Sequence, residues 1–307
     1  MDSRARLGLV VAALAIVYVV WGSTYLAIRV VVEEMPPLSG MGSRFLVAGL
    51  LLGGLLALRG VDLRVSRAEF AGAALLGLLL PLLGNGFVAV GEEMGVPSGV
   101  AALLVAAVSL FVTIYRILAG DWPSVWSVIG VVLGFVGLAW LVLGGREQDD
   151  VPLVGAAIVL AASAFWGFGS WVQPRLTLPK NAFVLAVHEM WTGGVMMIAL
   201  GLVRGEDLEP STYGGETWLA WGYLVVFGSM LAFSAYVWVL ANAPIGLVAT
   251  YAYVNPVVAV FLGWLILAEP ITSAVLVGGL VIIVAVAVVI TVERLPARDE
   301  EPALEPV

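Results

Sequence analysis

The chain has 307 residues, 62% of them hydrophobic and 12% charged, with a mean hydropathy of +1.07. Soluble domains carry about 25% charged residues, so this much apolar surface cannot close into one soluble core, and the chain reads as an integral membrane protein. A net charge of −8 argues against a nucleic-acid partner, and the lack of cysteine excludes disulfides, thiol catalysis and Cys-ligated metals.

Ten apolar segments follow one another, at roughly 7–28, 38–58, 69–90, 97–118, 125–144, 152–172, 182–203, 218–240, 246–267 and 272–292. Each is long enough to cross a bilayer. Their linkers are short and carry the breakers Pro36, Pro37, Pro97, Pro123, Pro179, Pro210 and Pro244. Arg4 and Arg6 precede the first run as in a signal peptide, but the run is long and many follow, so it reads as an uncleaved first span. The tail after Glu293 is charged and proline-rich, a composition that favours disorder.

Several spans carry side chains that lipid does not want. The first holds Trp21, Ser23, Thr24 and Tyr25, which suit either a pocket for amphipathic cargo or an interfacial belt. Arg44 lies in the second, Asn85 between two glycines in the third, Trp166 in the sixth, His188 and Glu189 in the seventh, and Tyr236 in the eighth. Ionisable residues inside a span are expensive and default to functional suspects. Arg44 would attract an anionic group and His188 or Glu189 would exchange a proton. Each also reads as a structural anchor, bonded to helix ends or snorkelling to an interface. Arg44 and Glu189 differ in level by about 10 Å at roughly 1.5 Å per residue, so direct contact between them is not expected. Glu92, Glu93 and Glu269 sit at span edges and read as solvated or helix-capping carboxylates.

The ninth segment, with its flank to Pro270, is the most unusual, for it carries Thr250, Tyr251, Tyr253, Asn255 and then Pro256. Pro256 has no N–H, so a carbonyl near Ala252 loses its helical partner. At this depth a freed carbonyl must face protein or a watery cavity. Tyr251, Tyr253 and Asn255 are therefore candidates to orient cargo near the midplane, with Pro256 as a hinge and Trp21 and Tyr25 as an aromatic wall.

Trp21-Gly22 recurs as Trp166-Gly167, and Pro97-Ser98-Gly99 as Pro244-Ile245-Gly246, at offsets of 145 and 147. Pro123 recurs as Pro270, and Arg44 and Glu189 are themselves 145 apart. Residues 1–148 and 149–293 then form two five-span repeats, with 294–307 a cytoplasmic tail. An odd number of spans turns the second repeat upside down, the arrangement that supports alternating access. With the N-terminus inside, ten of the 14 Lys and Arg residues lie on the cytoplasmic side, three (Arg29, Arg146, Arg204) lie opposite and Arg44 lies in a span. Both termini are thus expected in the cytoplasm. The GxxxG pairs Gly49/Gly53 and Gly130/Gly134 suit close helix contact but are weak grounds for a dimer.

With these residues the chain resembles the EamA family of the drug/metabolite transporter superfamily. The likeness runs through WGSTYLAIR (Trp21–Arg29), PPLSGMGSRFLVAG (Pro36–Gly49), GNG (Gly84–Gly86), VPSGVAALL (Val96–Leu104), GYLVVFGS (Gly222–Ser229), TYAYVNPVVAV (Thr250–Val260) and Glu269-Pro270. The resemblance implies an all-α polytopic membrane protein of ten transmembrane helices in two inverted five-helix repeats. It also implies a multi-pass exporter of small metabolites or drugs, amino-acid-like or amphipathic, in the cytoplasmic (inner) membrane. Two positions depart from the family. Ser109 stands where a proline is usual in the fourth span, which implies a straighter span, and Gly120-Asp121-Trp122 matches poorly the acidic residue expected after it.

Other classes fare less well. A zinc protease needs a second histidine near His188-Glu189, and no Walker-type loop offers ATP a site. A passive channel or a membrane scaffold stays open, as do a monomer and a homodimer. The expected partners are a small-molecule solute, the lipid bilayer and protons as coupling ion, and no cofactor is expected.

Overall fold

A computed structural model of the chain describes residues 3–143, 151–243, 245–248 and 250–294, and every regular element among them is a helix. Pro244, the tail beyond Arg294 and the side chain of Tyr253 lie outside the described residues. Eight of the described helices are long and apolar enough to cross a membrane. They are α1 (Gly8–Val32), α2 (Pro37–Leu58), α3 (Arg67–Glu93), α4 (Ser98–Leu118), α5 (Val125–Leu143), α6 (Leu153–Arg175), α7 (Ala182–Val203) and α8 (Gly215–Asn242). A turn of helix at Ile245–Val248 leads to α9 (Tyr251–Leu267), and α10 (Ser273–Arg294) closes the fold. Their apolar runs, Val254–Leu267 and Ser273–Val289, are shorter.

Local signals set the helix ends. Pro37 opens α2 at a position whose N–H would have no partner in any case. Ser66 and Glu69 form a reciprocal capping box at the start of α3, and the Asn181 side chain accepts from the Phe183 N–H at 3.0 Å to open α7. Helices α2 and α7 both stop at a glycine in the left-handed region, Gly60 at φ 76° and Gly205 at φ 78°.

The helices pack in a pattern that survives exchange of the two halves. α2 lies on α7, α5 on α10 and α4 on α9, while α1 meets α8 and α9 just as α6 meets α3 and α4. α2 and α7 run antiparallel, with Gly42 against Gly194, Gly49 against Met190 and Gly53 against Val187. α5 and α10 are also antiparallel, with Gly130 facing Val289 and Gly137 facing Ile282. Both GxxxG pairs are thus spent on contacts inside the chain, Gly134 being covered by Leu110.

Three helices widen into π-helical turns, at Val17–Trp21 in α1, Leu78–Gly86 in α3 and Leu224–Phe233 in α8. Those in α3 and α8 begin 146 positions apart, at the repeat offset. Such turns often mark functional sites. Pro81 lies inside the α3 turn, where its missing N–H already breaks the regular ladder.

The comparison of α4 with α9 corrects an expectation. Without a proline, α4 is nonetheless interrupted at Ala106 and Ala107, between helical stretches Ser98–Val105 and Val108–Leu118. Ser109 Oγ donates to the Ala106 carbonyl at 3.1 Å, so the hydroxyl competes for backbone that a helix would otherwise use. α9, by contrast, stays helical through Pro256.

One face of the bundle is held by carboxylates that cap helix N-termini across the two halves. Glu34 accepts from the Gly214 N–H and Thr217 Oγ, both at 2.6 Å, at the start of α8. Glu206 accepts from the Ser39 N–H at 2.8 Å, at the start of α2. Glu269 accepts from Ser98 N–H at 2.8 Å, Ser98 Oγ at 2.9 Å and Gly99 N–H at 3.2 Å, at the start of α4. Helix dipole and free N–H groups favour each carboxylate. On the opposite face Arg116 pairs with Asp121 at 2.6 Å.

Candidate functional site

The π turns bring four aromatic rings together at the middle of the bundle. Trp21 of α1 packs against Trp166 of α6, Tyr236 of α8 and Tyr251 of α9, with ring centroids 5.4, 4.8 and 5.6 Å away. Trp21 Nε1 donates to the Gly228 carbonyl at 3.2 Å, a group in the π turn of α8. Tyr236 Oη receives Trp166 Nε1 at 3.3 Å and shares a 2.7 Å hydrogen bond with Ser170 Oγ. Gly84 permits this closeness, since a Cβ there would stand 2.5 Å from Trp166 Cε3.

Against this cluster lies a small cavity. Its walls include Thr24, Tyr25 and Ile28 of α1, Arg44 of α2, Gly84, Asn85 and Val88 of α3, Val105 of α4, and Ala162 and Ser163 of α6. Trp21, Trp166 and Tyr251 form its floor. Behind the floor is a second, smaller cavity, lined by Ser109, Ser170, Tyr236, Leu240, Val248 and Tyr251 among others. The ring cluster therefore separates two spaces.

Among the described residues Arg44 is the only charged side chain on the first cavity's wall, and it is 2% exposed. Its Nε donates to Ser229 Oγ at 2.9 Å, one terminal nitrogen approaches the Met41 sulfur at 3.4 Å, and its guanidinium sits 4.6 Å from the Phe45 ring centre. Among the described residues no carboxylate pairs with it. A fixed guanidinium with spare N–H donors beside an aromatic cavity is suited to a carboxylate. Arg44 is buried against Ser229 of α8 and does not reach the surface of the bundle.

The structure thus gathers Trp21, Tyr25, Asn85, Arg44, Trp166, Tyr236 and Tyr251 around the two cavities. It keeps other candidates away. His188 lies between the rings of Phe70 and Trp191, with Nδ1 2.8 Å from the Val184 carbonyl, and lines neither cavity. Glu189 is fully buried, and neither of its carboxyl oxygens has a hydrogen-bond partner. Asn255 is buried on α9 with both amide atoms unpartnered, and its carbonyl faces Gly22 of α1.

The edge glutamates divide. Glu269 is a helix cap as expected, and Glu93 is an exposed partner of Arg204 at 3.4 Å. Glu92 departs from the expectation of a solvated or capping group, since it has 0% exposure and two carboxyl oxygens without a partner. Reading the sequence also passed over Ser163 and Ser229. Ser229 was visible only as part of a Gly-Ser pair, and nothing in the α8 sequence marks a π turn that would aim it at Arg44.

Residues 7–143 and 153–291 match the EamA-like transporter family. The chain is 44% identical over 253 residues to the uncharacterized inner membrane transporter YedA of Escherichia coli strain K12, covering 82% of this chain and 80% of that protein. It is 26% identical to the uncharacterized transporter YoaV of Bacillus subtilis, over 87% of this chain and 91% of the relative. A probable terminal-alkyne amino-acid exporter of Streptantibioticus cattleyicolor is 25% identical over 89% of this chain and 91% of its own length. A solved crystal structure shares the fold with a TM-score of 0.65 at 19% identity, over 96% of this chain and 100% of that one. With both halves matched and a relative this similar over most of its length, the chain belongs to the EamA-like transporter family.

Proposed function

We propose that the protein is a secondary transporter that exports a small amphipathic solute bearing a carboxylate, amino-acid-like in character, across the inner membrane by alternating access. The observation that carries this reading is Arg44, buried on the wall of an aromatic cavity with no acidic partner among the described residues. The guanidinium would take the carboxylate, and Trp21, Tyr25 and Tyr251 would hold the apolar part. The amino-acid exporter among the relatives is consistent with such cargo.

The architecture in this reading is ten crossings in two inverted repeats, residues 1–148 and 149–293, with both termini in the cytoplasm. The antiparallel packing of α2 on α7 and α5 on α10, and the paired π turns of α3 and α8, support the inversion. The face clasped by Glu34, Glu206 and Glu269 is then the outer one, and the second cavity lies on the cytoplasmic side of the ring cluster. Rocking of one repeat on the other, with Pro256 as a hinge, would open the two spaces in turn. Protons are the proposed coupling ion, with Glu189 a buried group able to carry one.

The test is flux of radiolabelled amino acids through purified protein in liposomes. Saturable counterflow that Arg44→Gln removes supports the carrier. Flux that is unsaturable and indifferent to Arg44 points to a pore and overturns it.

A further inference from the structure

We propose that Glu92 is a proton-binding site at the outer end of the cavity, and that its carboxyl must carry a proton for that end to close as it does in this structure. The inference rests on the orientation and the cavity proposed above. Glu92 lies one helical turn beyond Val88, on the same side of α3, and Val88 lines the cavity. Both carboxyl oxygens are buried and neither has a hydrogen-bond donor. A bare carboxylate without donors is among the most expensive groups to bury, whereas a neutral carboxyl is tolerable.

The charge that ought to answer Glu92 is engaged elsewhere. Arg29 NH1 donates to the backbone carbonyl of Glu92 at 2.6 Å, while Arg29 Nε pairs with Glu33 at 3.5 Å. From α1, Tyr25 and Arg29 face Glu92. From α2 the charged group on the cavity is Arg44, and beyond α4 stands Glu269, which already accepts three hydrogen bonds. α6, also packed on this stretch of α3, brings no ionisable group, and the neighbouring Glu93 is held by Arg204. Glu92 thus sits with a cation one step away that does not reach its carboxyl in the closed arrangement. Opening the outer end would admit water and free Arg29 to turn from the carbonyl to the carboxylate. The carboxyl O–H bond then breaks and the proton passes to water on the outer side; reclosing requires a proton to be taken back from there.

The chain has no cysteine, so a single introduced thiol gives a clean report on opening. Val88→Cys is labelled with a membrane-impermeant maleimide from the outer side, over a pH series. Asp207→Cys, exposed on the same face, corrects for the reactivity of the thiol itself. Normalised labelling of Val88→Cys should rise with pH, by up to about tenfold per unit, the limit for one linked proton. Adding E92Q should hold it low and flat, and E92D should restore the rise. Gln imitates the neutral carboxyl, so E92Q must also fold at least as well as the parent. An E92Q protein that fails to fold, or that keeps the parent's pH response, overturns the proposal, as does a parent with no response. Labelling needs no solute, so its outcome is independent of whether the flux experiment finds cargo.

Discussion

The indole rings of Trp21 and Trp166, 145 positions apart in the chain, meet edge to face with centroids 5.4 Å apart. Edge-to-face geometry sets the positive rim of one ring on the negative face of the other. Tyr236 and Tyr251 complete the cluster, with Tyr236 4.8 Å from Trp21 and Tyr251 5.7 Å from Tyr236. Two tryptophans at the repeat offset thus form one partition, and each half contributes a side of it.

Removing Trp21 should breach that partition. Trp21→Ala deletes three ring contacts and the hydrogen bond to Gly228, and should destabilise the fold by about 3–5 kcal/mol. It should also join the two cavities, giving solute leak without counterflow. Trp21→Phe keeps a ring and loses chiefly the hydrogen bond, at about 1 kcal/mol. Thermal unfolding in detergent and passive efflux from loaded liposomes measure the two effects. A leak-tight Trp21→Ala protein would show that the cluster is not the barrier.

The pairing of Arg44 with Ser229 predicts a split between binding and turnover. Ser229→Ala leaves Arg44 Nε without its 2.9 Å acceptor. An unsatisfied buried donor costs about 1–3 kcal/mol, and a guanidinium no longer held by α8 should bind a carboxylate less tightly. KM for the transported amino acid should rise roughly tenfold, which is about 1.4 kcal/mol, with little change in kcat. Arg44→Lys should do worse, because an ammonium lacks the planar fork. Methyl esters of the same amino acids should be insensitive to both substitutions.

How far the sequence foretold this arrangement depended on the kind of signal. Composition and apolar run length expose the helices because burial in lipid demands both. The repeat showed itself in Trp21/Trp166, which meet in one ring cluster between the halves. Tyr25, Asn85 and Arg44 were legible as cavity-lining residues because a polar tip inside a span needs a place away from lipid. His188 is a different case: its ring packs between Phe70 and Trp191 and lines neither cavity, on a helix face the sequence could not orient. Glu92 is the converse case. Its place at a helix end suggested a solvated group, yet packing of α1, α4 and α6 around it buries it completely, and no local pattern reveals that. The break in α4 occurs without a proline, beside the Ser109 hydroxyl bonded to the Ala106 carbonyl, which only the backbone itself discloses.

Glu269 should prove a stability residue for the face that the carboxylates clasp. Ala268, at φ 54°, turns the chain through the left-handed region and aims Glu269 at the start of α4. Glu269→Ala leaves Ser98 N–H, Ser98 Oγ and Gly99 N–H without their acceptor. Loss of an N-cap costs about 0.5–2 kcal/mol, and a charged acceptor puts this case at the upper end. Glu269→Gln keeps one acceptor oxygen and should recover part of the loss. Melting temperatures of the three proteins in one detergent measure the order: parent, then Gln, then Ala.

Glu34 should make the same face acid-sensitive. It lies in the linker between α1 and α2, where the hydrogen bond from Thr217 and then that from the Gly214 N–H hold its carboxyl below the ordinary glutamate range. A carboxyl whose value is lowered on folding binds fewer protons in the folded state than in the unfolded one. Its contribution is therefore complete above the unfolded value of about 4.3, and is lost as pH falls through the lower folded value. Melting temperature should fall as the medium is acidified below that point, and Glu34→Gln should fall less steeply because it has no proton to gain. At neutral pH the same substitution should lower the melting temperature slightly, since Gln offers one weaker acceptor to two donors. Identical acid profiles for Glu34→Gln and the parent would show that the clasp does not hold α8 to the first half in solution.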